Sequence, residues 1–290
     1  MRIFITGAAG MLGAAVCRQL AGQHELITPT RAELDITDEA AVWRWLREWR
    51  PGVVIHLAAL TDVDRCQREP ELAYRVNAQA TATLAAACRE VGANLIFLSS
   101  IAVFNGRHTR PYLEADAPDP ANVYGRSKWQ AEQAITAISY ETNSRLSASF
   151  AYYVIRSGWL FGGGQRDKKF VQLILRLAGE QSTIPVVADK AGSPTYVKDL
   201  AQGLERLLTA GLPSGVYHLV NNGPPVSRYE LAQTIVRMRG LDVAIRPVTS
   251  GYFPNLAPRP AMEAASTLYL TDWLRPWPEA LAEYLAMNNS

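Results

Sequence analysis

The sequence predicts an α/β fold: a doubly wound parallel sheet with helices on both faces and a smaller unit towards the C-terminus. Three observations predict it. The chain opens on a short apolar strand, Arg2–Thr6, that runs straight into Gly7-x-x-Gly10-x-x-Gly13 and an Ala- and Leu-rich stretch. Apolar β-rich runs then recur with helical stretches between them, as parallel strands joined by crossover helices require. After residue 156 that alternation loosens, and Pro224, Pro225, Pro247, Pro254, Pro258, Pro260, Pro276 and Pro278 crowd the last third, which reads as a small irregular unit covering a cleft.

In chain order, Gly7 permits the tight turn after the first strand and Gly10 lets a pyrophosphate approach the backbone. Gly13 lets the helix Met11–Ala21 pack closely on the strand. That helix points its free N–H groups at the phosphates. Strands follow at Glu25–Thr28, Val53–His56, Leu95–Ser99 and Tyr152–Arg156, with helices at Glu39–Arg50, Glu71–Val91 and Val123–Ile138. Trp45 and Trp49 share a helix face by their spacing and read as packing residues. His56, inside an apolar strand, reads as a hydrogen-bonded core histidine. Beyond the flexible Gly162-Gly163-Gly164 come helix Lys169–Ala178, strand Thr183–Val187, helix Asp199–Thr209, strand Gly215–Val220 and helix Tyr229–Arg239. This divides the chain into a dinucleotide-binding unit, residues 1–156, and a mostly substrate-binding unit, residues 157–290. Residues 192–220 or so are expected to return to the parallel core.

The 290 residues are 48% hydrophobic and 19% charged, ordinary for a globular protein that buries a large core. A net charge of +2 gives none of the basic field that nucleic acid binding needs. No apolar run is long enough to span a membrane, and the N-terminus is a strand rather than a signal peptide. Cys17, Cys66 and Cys88 are widely spaced and suit a reducing cytoplasm. The four histidines lack ligand spacing, so no metal site is expected.

Ligands of such sheets sit outside the carboxyl ends of the strands. After the second strand comes Thr28-Pro-Thr-Arg31, with no acid to hold a ribose 2′-hydroxyl. Thr30 and Arg31 would instead hold a 2′-phosphate, which favours NADP(H), with NAD(H) as the alternative. Asp35 either accepts from an adenine amino group or caps the helix that starts near Asp38. Leu57-Ala58-Ala59 offers small residues against which a dinucleotide backbone can lie.

Tyr124-Gly-Arg-Ser-Lys128 puts a phenol and an ammonium on one helix face, near the helix start. The helix's positive end and Lys128 both favour tyrosinate, so the Tyr124 pKa is expected to fall. Such a phenol gives a proton to a carbonyl oxygen as hydride arrives at the carbon. Lys128 would hold the nicotinamide ribose, and Ser99-Ser100 would donate a second hydrogen bond to the same oxygen. The Tyr-Lys spacing alone also describes many solvated helix faces; its weight comes from standing downstream of the glycine corner.

The glycine corner, Leu57-Ala58-Ala59, Asn77, Ser99-Ser100 and Tyr124-x-x-x-Lys128 together resemble the extended short-chain dehydrogenase/reductase family, a Rossmann-type fold. Further stretches resemble its dTDP-4-dehydrorhamnose reductase branch: Glu33-Leu-Asp-Ile-Thr-Asp38, Thr61-Asp-Val-Asp64, Val103-Phe-Asn-Gly106, Ile155-Arg-Ser-Gly-Trp159, Gly192-Ser-Pro-Thr195 and Arg259-Pro260. The resemblance implies NADPH-dependent reduction of the 4-keto group of a nucleotide-activated deoxysugar, a nucleotide-sugar partner and compatibility with a homodimer. Residue by residue it makes Ser100 the group that polarises the carbonyl, Tyr124 the proton donor and Lys128 the cofactor clamp. Gly10, Met11, Leu12, Asp35, Ile36, Ala58, Ala59 and Thr61 match cofactor contacts. Trp159 matches an aromatic beside the sugar, or a core filler, and Arg259 a phosphate contact, or an exposed loop arginine.

The departures concern the sugar pocket. Ile101-Ala102 stand where the family usually has Asp-Tyr, and Met262-Glu263 follow Arg259-Pro260 where it tends to place a serine. Apolar Ile101 cannot hydrogen-bond a sugar hydroxyl, which puts the rhamnose intermediate itself in question. The same branch resembles the regulatory β subunit of methionine adenosyltransferase, so a non-catalytic NADP-binding subunit is the rival reading. A 4-epimerase is less favoured. A dehydratase needs acids beside the catalytic hydroxyl, and Ile101-Ala102 supply none.

Overall fold

Strands covered on both faces read as unbroken apolar runs, and Ile3, Phe4, Ile5, Val54 and Ile55 are all fully buried. The computed structural model describes residues 1–140, 150–164, 167 and 169–287. Its first half runs β1 (Arg2–Thr6), α1 (Met11–Leu20), β2 (Glu25–Ile27), α2 (Glu39–Trp49), β3 (Val53–His56), α3 (Val63–Arg68), α4 (Pro70–Tyr74), α5 (Ala80–Val91), β4 (Asn94–Ser100), α6 (Val123–Tyr140) and β5 (Tyr152–Ser157). The second half adds β6 (Leu160–Phe161), α7 (Phe170–Ala178), β7 (Thr183–Val187), β8 (Ala191–Gly192), β9 (Thr195–Tyr196), α8 (Val197–Leu207) and β10 (Gly215–His218). It closes with β11 (Val226–Ser227), α9 (Arg228–Arg239), β12 (Ala244–Val248), β13 (Met262–Glu263) and α10 (Trp277–Met287).

Six parallel strands form one sheet in the order β10-β5-β4-β3-β1-β2. The chain therefore goes from β1 to one neighbour, β2, and then crosses to the other, β3, which opens a crevice at their carboxyl ends. On one face Leu12, Val16 and Leu20 of α1 share a core with Leu200, Leu204 and Leu207 of α8. On the other, Val42, Leu46, Leu84, Cys88 and Ile135 from α2, α5 and α6 share a second core. Of the stretch expected to return to the parallel core, α8 and β10 lie against it, whereas Gly192 belongs to a separate three-stranded sheet, β11-β8-β13. Among the described residues no helix is long and apolar enough to cross a membrane.

Two expectations need correction. Residues 71–91 are helical throughout but not regularly so: a π turn at Arg75–Gln79 lies between α4 and α5. The extra residue turns Asn77 inward, where its amide donates to the Leu60 carbonyl (3.1 Å) and Ser127 Oγ (3.0 Å) and accepts the Leu60 N–H (2.8 Å). The proline-rich last third is more regular than expected. Pro276 and Pro278 flank the start of α10, where a missing N–H is harmless. Pro247 lies in β12, paired in parallel with β7 in a sheet of two strands, where a proline is tolerated.

Candidate active site

A cleft of about 700 Å³ opens at the carboxyl ends of β1, β3, β4 and β5, and its far wall comes from Trp159, Leu160, Lys169, Phe170, Leu173, Arg228, Arg259 and Glu263. Its floor is the glycine corner. Gly7 has φ +72°, and a Cβ there would lie 2.7 Å from the Ala58 nitrogen. A Cβ on Gly13 would strike the Gly7 carbonyl oxygen and lie 2.7 Å from Ala8 Cα. Only hydrogen fits at either position. Gly10 caps α1 without a side chain, and no acid occupies its first turn. The N–H groups around Met11, Leu12 and Gly13 thus meet an anion at the positive helix end. Leu57, Ala58, Ala59 and Thr61 line the same cleft, a cradle of small groups that fits a dinucleotide.

Thr30, Arg31, Asp35, Ile36, Asn77 and Lys128 do not line it. Thr30 donates its N–H and hydroxyl to Glu33 (2.7 and 2.8 Å), and Arg31 is exposed beside them. Asp35 accepts from the Thr37 N–H and hydroxyl (2.9 and 2.8 Å), which hold its carboxyl below the usual range. It does not cap α2; Asp38 does, accepting from the Ala41 N–H at 3.0 Å.

Ser100 ends β4 level with Ser157 of β5, and its Oγ accepts the Ala102 N–H at 3.1 Å. The Ser99 hydroxyl is not available to a ligand: it donates to buried Glu132, which ion-pairs with buried Arg156 at 2.6 Å. Tyr124, in the first turn of α6, lines the cleft half-buried. One turn on, Lys128 is buried with Nζ 4.1 Å above the Phe97 ring. The expectation of a lowered tyrosine is corrected. Burial pushes the Tyr124 phenol up to about 12, with Cys66 and Glu263 adding to the rise and the Ser100 hydroxyl opposing it. Burial also brings Lys128 down to about 7, against the pull of Glu132. Desolvation outweighs the helix end at both groups. His56 is a core residue as expected, bridging Thr6 Oγ1 (2.6 Å) and Thr81 Oγ1 (3.0 Å), and burial holds its pKa near 3.

The far wall centres on Trp159, at φ +45°. Its indole lies against Gly192, and the Arg228 guanidinium stands 3.6 Å from the ring centroid. The indole N–H donates to Glu263 Oε2 at 3.0 Å. Arg259 reaches the cleft paired with Asp64 at 3.1 Å. Ile101, 2% exposed, and Ala102 line the cleft beside Ser100 with hydrocarbon alone. Sequence reasoning missed Asn122, Ser157, Lys169, Arg228 and Glu263, all of which line the cleft. One signal was there for Arg228: Ser227-x-x-Glu230 is a capping box that fixes the start of α9 beside it.

The family model described as RmlD substrate binding domain matches residues 1–289. The chain is 40% identical over 298 residues to a dTDP-4-dehydrorhamnose reductase from Mycobacterium tuberculosis, covering 98% of this chain and 92% of that protein. It superposes on the crystal structure of a dTDP-4-dehydrorhamnose reductase from Clostridium acetobutylicum with a TM-score of 0.91 and 35% identity, each chain covered fully at 100%. A reductase of the same name from Bacillus anthracis, solved in complex with NADP, matches with a TM-score of 0.89 and 34% identity, covering 99% of both chains.

Proposed function

We infer that this chain, which belongs to the RmlD substrate binding domain family, reduces the 4-keto group of a nucleotide-activated deoxysugar with NADPH. The observation that carries the reading is the meeting of Ser100, Tyr124 and the glycine corner on one cleft. The names of its relatives make dTDP-4-dehydrorhamnose the leading substrate. NADPH bound along Gly7–Gly13 and Leu57–Ala59 would supply the hydride. Ser100 donates a hydrogen bond to the substrate's keto oxygen. Tyr124, protonated at neutral pH because its phenol is pushed up to about 12, releases its proton to that oxygen as charge develops there. Lys128 holds the nicotinamide ribose hydroxyls, Thr30 and Arg31 the 2′-phosphate, and Asp35 and Ile36 the adenosine end. Thr61 lies along the dinucleotide, and Asn77 keeps the Leu60 segment in place for it.

In this reading residues 1–156 bind the dinucleotide and residues 157–290 mostly the sugar nucleotide, with Trp159 beside the sugar and Arg259 towards the phosphates. The three unpaired thiols, Cys17, Cys66 and Cys88, suit a cytoplasmic enzyme, and assembly as a homodimer is compatible with it. The test is oxidation of NADPH by dTDP-4-dehydrorhamnose. Tyr124→Phe should lower kcat by about two to four orders of magnitude with NADPH affinity unchanged. Equal turnover in both proteins would remove Tyr124 from the chemistry. Tight NADPH binding without reduction of any 4-keto sugar would replace the reading with that of a non-catalytic NADP-binding subunit.

A further inference from the structure

Two charged side chains on the far wall, Arg228 and Glu263, have no part in the roles above. Glu263 Oε2 is engaged by the Trp159 indole at 3.0 Å, while its Oε1 has no hydrogen bond among the described residues. The Arg228 guanidinium contacts two rings, its Cζ 3.6 Å from the Trp159 centroid and 4.7 Å from that of Phe170, with no carboxylate in ion-pair range among the described residues. Glu263 lines the same cleft as Arg228 and Tyr124. The near wall has the opposite character. Beside Ser100 it offers Ile101 and Ala102, and Gly158 lies against the Ile101 side chain.

A pyranose held in this cleft therefore meets hydrocarbon beside Ser100 and a carboxylate acceptor beside Trp159. A diphosphate or carboxylate would be repelled by Glu263. Sugar hydroxyls are the donors that match it, through charge-assisted hydrogen bonds. We propose that Glu263 is the specificity residue of the sugar pocket: its Oε1 accepts from hydroxyls of the pyranose ring, the Trp159 indole N–H holds the carboxylate in place through Oε2, and Ile101 and Ala102 receive a deoxygenated carbon of the same ring. Hydrogen-bonding capacity missing from residues 101–102 is thus supplied by Glu263. The proposal rests on the reductase reading of the cleft and names the edge of the sugar that this chain selects.

The test uses the full chain loaded with NADP, titrated calorimetrically with dTDP-L-rhamnose and with dTDP. The wild type should hold dTDP-L-rhamnose more tightly than dTDP. In Glu263→Ala and in Glu263→Gln that preference should fall by about 10- to 100-fold, the range for a hydrogen bond to a charged group, with dTDP affinity unchanged. Gln retains an oxygen for the Trp159 indole but presents an N–H where Oε1 stood. A preference kept in Glu263→Gln and lost only in Glu263→Ala would make Glu263 a support for Trp159 and overturn the proposal. So would a preference kept in both variants, or none in the wild type. A preference that is present and lost in both variants, in a protein that reduces no keto sugar, would uphold Glu263 as the recognition residue while the reductase reading failed.

Discussion

Replacing Gly192 by alanine isolates what Trp159 contributes. A methyl carbon at that position would fall 2.5 Å from Cδ2 and 2.6 Å from Cζ2 of the indole. Carbon atoms in ordinary contact stand about 3.5–4.0 Å apart, so one partner must retreat by about an ångström. The backbone is poorly placed to do so, because β8 is the central strand of its sheet, paired with β11 on one side and β13 on the other. The indole must move, and Arg228 already packs on its ring. Gly192→Ala is therefore expected to break the Trp159–Glu263 hydrogen bond and destabilise the fold by about 1–3 kcal/mol, the usual cost of overpacking. It should also lower kcat/KM by about 10²-fold, the penalty for an ångström of misplacement at a site. NADPH affinity should not change, since the glycine corner lies across the cleft. Steady-state NADPH oxidation paired with urea unfolding reads both quantities. Adding Trp159→Phe should restore stability by shrinking the ring and leave activity low. Wild-type kinetics in Gly192→Ala would refute the claim that this slot fixes Trp159. Equal losses of NADPH affinity and kcat/KM would refute the independence of the two walls.

Lys128 links stability to pH. Burial brings it from 10.5 to about 7, so between those values the folded chain holds fewer protons than the unfolded one, and cofactor-free stability rises with pH across that window. Lys128→Met should flatten the rise, seen as melting temperatures taken from about pH 7 to about pH 10; an unaltered slope would contradict the burial argument. The Arg156–Glu132 pair, with side chains 3% and 1% exposed, behaves as a unit. Arg156→Met alone should destabilise by about 3–5 kcal/mol by leaving Glu132 unpaired, and adding Glu132→Leu should recover much of that in urea titrations. Strictly additive losses would show that the two residues do not depend on each other.

What could be read from the chain was whatever local chemistry dictates. The glycine corner is legible because a tight turn and a close helix demand residues without Cβ within seven positions of each other. The Tyr124–Lys128 pair is legible because helical spacing alone puts both on one face. The π turn at Arg75–Gln79 escaped because one extra residue hardly disturbs an Ala-rich helical pattern. The Ser99 hydroxyl was misread because its partner, Glu132, lies 33 residues on, and strand alternation says only that Ser99 and Ser100 face opposite ways. The Tyr124 pKa was misjudged for a related reason. Helix ends and nearby lysines are visible in sequence, whereas desolvation depends on the whole surround. Arg228 and Glu263 reach Trp159 from distant segments, and nothing local announces that meeting.

The π turn also governs where this chain tolerates changes of length. Deleting one residue from 75–79 would convert α4 and α5 into a single regular helix and rotate everything beyond the deletion by about 100° relative to what precedes it. Either Asn77 would leave the Leu60 backbone and Ser127, or Leu84, Ala85 and Cys88 would turn out of the core they share with α2 and α6. Point substitutions on the exposed face of these helices leave that register alone. A single-codon deletion would unseat either the Leu60 segment or one layer of the sheet's cover, so this stretch is closed to changes of length that its exposed positions would accept as substitutions.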